Sequence, residues 1–74
     1  MNTFNKKIAE NLVSLRGNRS QTEVAEAVGI SKSAMSMYES GERIPRDETK
    51  CKLARYYNKT VGEIFFDIDS QIVN

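Results

Sequence analysis

Histidine and tryptophan are absent from the chain, and cysteine and proline occur once each. With Cys51 alone and no histidine, one chain can build neither a disulfide nor a zinc site of cysteine and histidine ligands. It also lacks the imidazole that most often performs acid–base catalysis. The longest unbroken apolar run is three residues, 64–66, too short for a membrane span or a signal peptide. We therefore expect a soluble cytoplasmic protein with no membrane association, cofactor or metal.

The 74 residues are enough for one domain, and 39% apolar with 28% charged residues is a globular composition. The net charge of +1 hides an asymmetry, because residues 1–46 hold seven basic and five acidic side chains and residues 47–74 hold four and five. Four of the basic residues fall within the first twenty. A small basic N-terminal face and an ordinary solvated surface are both open interpretations of Lys6, Lys7, Arg16 and Arg19.

The first half of the chain predicts three helices. Residues 3–16 carry one apolar stripe at helical spacing, namely Phe4, Ile8, Leu12 and Leu15. Ser20 with a glutamate three residues later is a capping box for a second helix over 21–28. Gly29 can end that helix, and Ser31 can cap a third over 32–39.

The second half predicts two more helices and a tail. The fourth helix covers residues 47–57, with inward candidates Cys51, Leu53, Ala54 and Tyr57. Thr60 and Glu63 form a second capping box, which opens a short fifth helix that carries Val61, Ile64 and Phe65. The predicted fold is an all-α, compact five-helix domain over residues 1–66, followed by a C-terminal tail over 67–74.

The second and third helices, joined by the three-residue turn 29–31, satisfy the packing pattern of a helix-turn-helix. Ala25 is small where the two helices must approach closely, and Gly29 stands at the turn. Each of these apolar residues alone would be an ordinary core residue, so it is their combined spacing that indicates a helix-turn-helix. The residues predicted to face the shared core are Val24, Val28, Ile30, Met35 and Tyr38.

These segments resemble the phage Cro/repressor-type helix-turn-helix proteins, the XRE family of bacterial and phage regulators. The resemblance covers about residues 4–66 and runs through QTEVAEAVGIS (21–31), MSMYESG (35–41) and TVGEIF (60–65). It implies a transcriptional regulator, most simply a repressor, that binds double-stranded DNA at a near-palindromic operator as a homodimer. One departure is Glu42, in a loop where relatives often carry a basic residue.

In the related repressors the exposed face of the third helix enters the major groove. At roughly 100° per residue, one face of this helix is polar and the other, with Met35 and Tyr38, is apolar. Lysine can donate to guanine, serine can donate or accept, and a methionine can contact a thymine methyl group. The predicted base-contacting residues on the polar face are Lys32, Ser33, Ser36 and Met37.

Residues around the third helix are the candidates for phosphate contacts. Gln21 resembles the family glutamine that bonds a phosphate beside the N-terminus of the second helix. Arg16 and Glu39 resemble a family pair that ties the first helix to the third as scaffold. Plain solvation is the alternative for Gln21, Arg43 and Arg46. The predicted phosphate-contacting residues are Gln21, Ser31, Ser40, Arg43 and Arg46.

Apolar residues near the end of the chain would form a surface patch in a monomer. They predict a two-fold interface, and the resemblance supports dimerisation through this end. Folding back over Leu53 and Tyr57 within one chain is the alternative. The predicted dimerisation residues are Ile64, Phe66, Ile68, Ile72 and Val73.

Two other classes of function compete with the regulator. A protein-interaction or antitoxin-type module would use the helix-turn-helix as scaffold. A regulator without an effector domain would be controlled by its own concentration, by degradation, or by a partner such as a protein antirepressor or a toxin. An enzyme is disfavoured, since Asp67 and Asp69 in a polar tail are explained by solvation. Salt-dependent affinity for duplex DNA separates the first class from the interaction module.

Overall fold

The computed structural model of the chain describes residues 3–66. Within this part four α-helices follow one another and a π-helical turn closes the fold, with no strand among the described residues. The all-α, five-helix prediction is confirmed. The elements are α1 (Thr3–Arg16), α2 (Gln21–Val28), α3 (Lys32–Ser40), α4 (Asp47–Tyr57) and the π-helical turn (Gly62–Phe66).

The caps that the sequence predicts are formed. The Ser20 hydroxyl accepts a hydrogen bond from the backbone N–H of Glu23 at 3.0 Å, and the Ser31 hydroxyl accepts one from that of Ala34 at 3.0 Å. Gly29 ends α2 in the left-handed conformation, with φ of 86°. Its N–H donates to the Ala25 carbonyl at 2.8 Å. α2 and α3 are therefore joined by a sharp three-residue turn, as in a helix-turn-helix.

The core lies where α1, α2, α3 and α4 meet the π-helical turn. Ala25 is 2% exposed at the approach of α2 and α3. Phe4, the first residue of the predicted α1 stripe, is 41% exposed and therefore lies outside the core. The largest fully buried side chains are Phe65, Ile8, Leu12, Met35, Leu53, Ile64 and Val24.

Cys51 corrects the prediction for α4, because it is exposed and does not pack inward. It precedes Leu53 by two positions, which places it roughly 160° from Leu53 around the helix. Leu53, Ala54 and Tyr57 are buried as predicted. The helical geometry, and not the apolar character of the thiol, decides which face Cys51 occupies.

The π-helical turn is held by its own capping box and by a hydrogen bond from α1. The Thr60 backbone N–H donates to the Glu63 carboxylate at 2.8 Å, and the Thr60 hydroxyl accepts from the Glu63 N–H at 3.0 Å, so the second capping box is formed. These hydrogen bonds lower the pKa of Glu63 below its ordinary value. From α1, the Asn11 side-chain amide donates to the Ile64 carbonyl at 3.1 Å.

Most of the N-terminal cations are engaged within the protein. Lys7 forms an ion pair with Glu10 at 3.4 Å, and Arg16 is bonded to Glu39. Arg19 donates to the Leu15 carbonyl at 2.7 Å, which satisfies one of the last carbonyls of α1. Three of these four basic residues are therefore engaged within the protein, and a basic N-terminal face stays a prediction.

Candidate nucleic-acid interface

One open concavity collects the predicted base-contacting residues. It lies between the start of α2 and the outer face of α3, and it is lined by Gln21, Lys32, Ser33, Ser36 and Met37. Lys32, Ser33 and Ser36 are exposed, whereas Met37 is half-buried. The opposite face of α3 is anchored by Met35, which is 0% exposed. Burial of that face therefore fixes which side chains α3 presents outward.

Gln21 and Arg16 meet at a carboxylate near the end of α3. The Arg16 Nε donates to Glu39 Oε2 at 2.8 Å, which confirms the predicted pair. The Gln21 Nε2 donates to Glu39 Oε1 at 2.8 Å. The hydrogen bond to Glu39 raises the pKa of the Arg16 guanidinium above its ordinary value, so Arg16 stays charged.

The remaining predicted phosphate-contacting residues lie at three separate places. Ser31 is the N-cap of α3, where its exposed side chain bonds the backbone. Ser40 lies on the side of α3 that faces α1, and its hydroxyl is 2.7 Å from Glu42 Oε1. Arg43 and Arg46 share a second concavity with Tyr38 on the loop before α4. Ser40 is therefore separated from the other candidates and lies beside a carboxylate.

The predicted dimerisation residues differ in their exposure to solvent. Ile64 is 1% exposed within the core of its own chain, so the expectation that its side chain faces a second subunit is corrected. Phe66 is 56% exposed, and the Lys50 ammonium lies 4.8 Å from the centre of its ring. The other predicted residues, Ile68, Ile72 and Val73, lie outside the described residues, as does the whole tail 67–74.

Two features of this region were not predicted from the sequence. The Gln21–Glu39 hydrogen bond joins positions 18 residues apart, and no local pattern indicates it. The Arg19 contacts with the end of α1 could have been predicted from the sequence, since a basic residue just beyond a helix C-terminus commonly bonds the last carbonyls of that helix.

The comparisons with known proteins agree with this geometry. Residues 14–64 match the sequence profile of the family described as Helix-turn-helix. This chain belongs to that helix-turn-helix family, and the resemblance to phage repressor-type regulators is confirmed.

A curated relative is the cryptic phage CTXphi transcriptional repressor RstR of Vibrio cholerae, which is 32% identical over 69 residues. The alignment covers 93% of this chain and 60% of the relative, so this chain spans less than two thirds of that protein. No solved structure matches the chain significantly.

Two further findings concern residues 3–66. No helix in this range is long and apolar enough to cross a membrane. The same range holds no group of three or more acidic, cysteine or histidine side chains that could bind a metal ion.

Proposed function

We propose that this chain binds double-stranded DNA at specific sequences and represses transcription by occupying an operator. The observation that carries the proposal is the concavity on α2 and α3, where a lysine, two serines and a methionine lie on one outward face. These side chains offer donors, acceptors and an apolar contact, which are what base edges in the major groove require. The relative RstR is a transcriptional repressor, which supports the same class of activity for this chain.

Within this proposal the predicted residues divide into two groups by position. Lys32, Ser33, Ser36 and Met37 read base edges, because they line the outer face of α3. Gln21, Arg43 and Arg46 contact phosphates at the two flanks of that face. Contacts to phosphates supply affinity and orientation, and contacts to bases supply specificity. The Glu42 carboxylate near Ser40 opposes phosphate binding at that end of α3.

The primary test is selection of bound duplexes from a random library at near-physiological salt, followed by titration of the winning duplex across salt concentrations. We expect one enriched motif and an affinity that falls with salt, with a logarithmic slope of about −0.9 per phosphate contacted. A reporter gene with the selected site at its promoter should be repressed. Enrichment of no motif, together with tight binding to a protein, would identify an interaction module instead.

We also propose that the chain dimerises through the surface around Phe66 and places two copies of α3 in successive major grooves, about 34–36 Å apart. The support is the exposed ring of Phe66 at the last described position. Sedimentation of the full chain at micromolar concentrations should show a dimer that Phe66→Asp dissociates. Val13→Asp is the matched control, since Val13 is 44% exposed on α1 and should leave the dimer intact. A chain that stays monomeric and binds a half-site as tightly as a palindrome contradicts the dimer.

A further inference from the structure

Glu39 is a buried carboxylate held from two sides. Its side chain is only 4% exposed. One oxygen accepts from the Arg16 Nε of α1, and the other accepts from the Gln21 Nε2 of α2, each at 2.8 Å. Three helices therefore meet at one acidic group, and each of its two oxygens has a donor. Hydrogen bonds to a charged group are shorter and stronger than those between neutral groups.

This arrangement determines the orientation of the Gln21 amide. A carboxylate accepts hydrogen bonds and cannot donate them, so the amide must turn its nitrogen, and not its oxygen, toward Glu39. That nitrogen carries two hydrogens, and one remains after the bond to Glu39. Gln21 is half-buried and lines the concavity on α3. The remaining N–H therefore belongs to a side chain held in one orientation at the edge of the DNA-binding surface.

We propose that Glu39 is a positioning residue for DNA binding, because it holds the Gln21 amide so that the free N–H donates to a phosphate oxygen. This inference rests on the proposed function. Arg16 completes the arrangement in two ways. It fixes the Glu39 carboxylate, and its positive charge offsets a negative charge that would otherwise repel the phosphate. A glutamine ordered before binding loses little side-chain freedom when DNA arrives, and this reduces the cost of association.

The test removes the carboxylate that orients Gln21 without opening a cavity. In Glu39→Gln the side chain keeps its shape, but Arg16 claims the only oxygen and leaves an amide nitrogen facing Gln21. The Gln21 amide then either faces this donor with its own nitrogen or turns its oxygen toward it, and in both cases the orientation set by Glu39 is lost. Gln21→Met keeps the length of the side chain and removes its N–H. Parent, both single variants and the double variant are titrated with the selected duplex at one salt concentration. Glu26→Gln, at an exposed glutamate of α2, is the matched control.

We expect each single variant to weaken binding about two- to tenfold and the double variant to weaken it no more than either single variant. Losses that multiply in the double variant would show that Glu39 acts independently of Gln21, and would overturn the positioning role. Thermal unfolding of all four proteins gives the folded fraction by which each affinity is corrected. Glu26→Gln should bind as the parent does.

Exchanging the Glu39 carboxylate and the Gln21 amide distinguishes a role in positioning Gln21 from a role in stabilising the fold. Combining Gln21→Glu with Glu39→Gln restores an amide-to-carboxylate hydrogen bond between the two positions but presents a carboxylate to the phosphate. We expect the melting temperature of Glu39→Gln to recover in this double variant while its DNA affinity stays low. Recovery of both would show that only the integrity of the scaffold matters, and would overturn the proposal.

A final experiment uses NMR spectra of the protein without DNA. The side-chain amide proton resonances of Gln21 are identified in NMR spectra by their loss in Gln21→Met, and they should shift in Glu39→Gln. Unshifted resonances overturn the proposal whatever the DNA results. A parent chain that binds no duplex overturns the proposed function and this inference together, whereas multiplying losses in a parent that does bind overturn the positioning role alone.

Discussion

The guanidinium carbon of Arg19 lies 5.3 Å from the centre of the Tyr57 ring. It lies 5.2 Å from the ring of Tyr56 as well, so the turn after α1 is attached to α4 by a cation over two aromatic faces. The hydroxyl of Tyr57 is buried and has no hydrogen-bond partner among the described residues. Burial raises the pKa of Tyr57 to about 12.

Tyr57→Phe should stabilise the protein by about 1 kcal/mol, because it removes an unpartnered buried hydroxyl and keeps the ring under Arg19. The raised pKa adds a pH dependence. The folded state holds the phenol proton more tightly than the unfolded state, so the contribution of Tyr57 is full below pH 10 and is lost as pH rises toward 12. Urea unfolding of both proteins between pH 7 and 11 measures this, and the advantage of the variant should grow above pH 10. Tyr56→Phe is the control, and an equal gain there would contradict the assignment.

The capping box of the π-helical turn predicts a loss of stability in acid. Hydrogen bonds from Thr60 lower the pKa of Glu63 below its ordinary 4.5, so its contribution is present above that pH and is lost as pH falls through the lowered value. Glu63→Gln keeps an acceptor for the Thr60 N–H and cannot titrate in this range. Thermal melts from pH 6 to 3 should therefore show a smaller loss for the variant. Identical pH profiles would mean that this carboxylate does not stabilise the turn.

Lys32 and Arg43 should differ in what they contribute to DNA binding. Lys32→Ala should cost roughly 1–3 kcal/mol and relax preference at one base pair, since Lys32 lies on the outer face of α3. Arg43→Ala should weaken all sites about equally and flatten the salt dependence by about one phosphate contact. Repeating the selection with each variant checks both. A motif unchanged at every position in Lys32→Ala would contradict this docking of α3.

The helix-turn-helix crossing should resist substitution for two distinct reasons. Ala25 is 2% exposed, so Ala25→Leu should overpack the crossing and cost about 1–3 kcal/mol. Gly29 has open space where a Cβ would be placed, but its φ of +86° disfavours any other residue. Gly29→Ala should therefore cost roughly 1–2 kcal/mol through backbone strain alone. Calorimetric melts measure both, and parent-like melting of Ala25→Leu would show that the helices do not approach there.

Local chemistry explains why most helix limits were predictable. Helices are capped through hydrogen bonds within about four residues, as at Ser20, Gly29 and Ser31. The observed limits of α1, α2 and α4 are those that the sequence pattern predicts. α3 extends one residue further, to Ser40, before Gly41 ends it. The π-helical form of the last element was not predicted, since its capping signals are the same as those of an α-helix.

The candidate site was predictable only where one helix carries it. The outward face of α3 follows from helical geometry, and the structure brings its four residues to one concavity. Glu39 and Gln21 lie on different helices, and their contact depends on the angle at which these helices pack. Spacing along the chain does not specify that angle, so the buried carboxylate between three helices became visible only in the fold.

The bond from Asn11 to Ile64 joins positions 53 residues apart, and this separation affects how the protein is made. Synthesis proceeds from Asn11 to Ile64 in roughly 3–10 s at ordinary ribosomal rates. Throughout that interval α1 lacks the last part of its packing surface, because Ile64 and Phe65 have not yet been added. The α2–α3 pair is made well before the core beneath it is complete. The geometry of the helix-turn-helix is therefore completed only after Ile64 and Phe65 have been synthesised, since both belong to the core on which α2 and α3 pack.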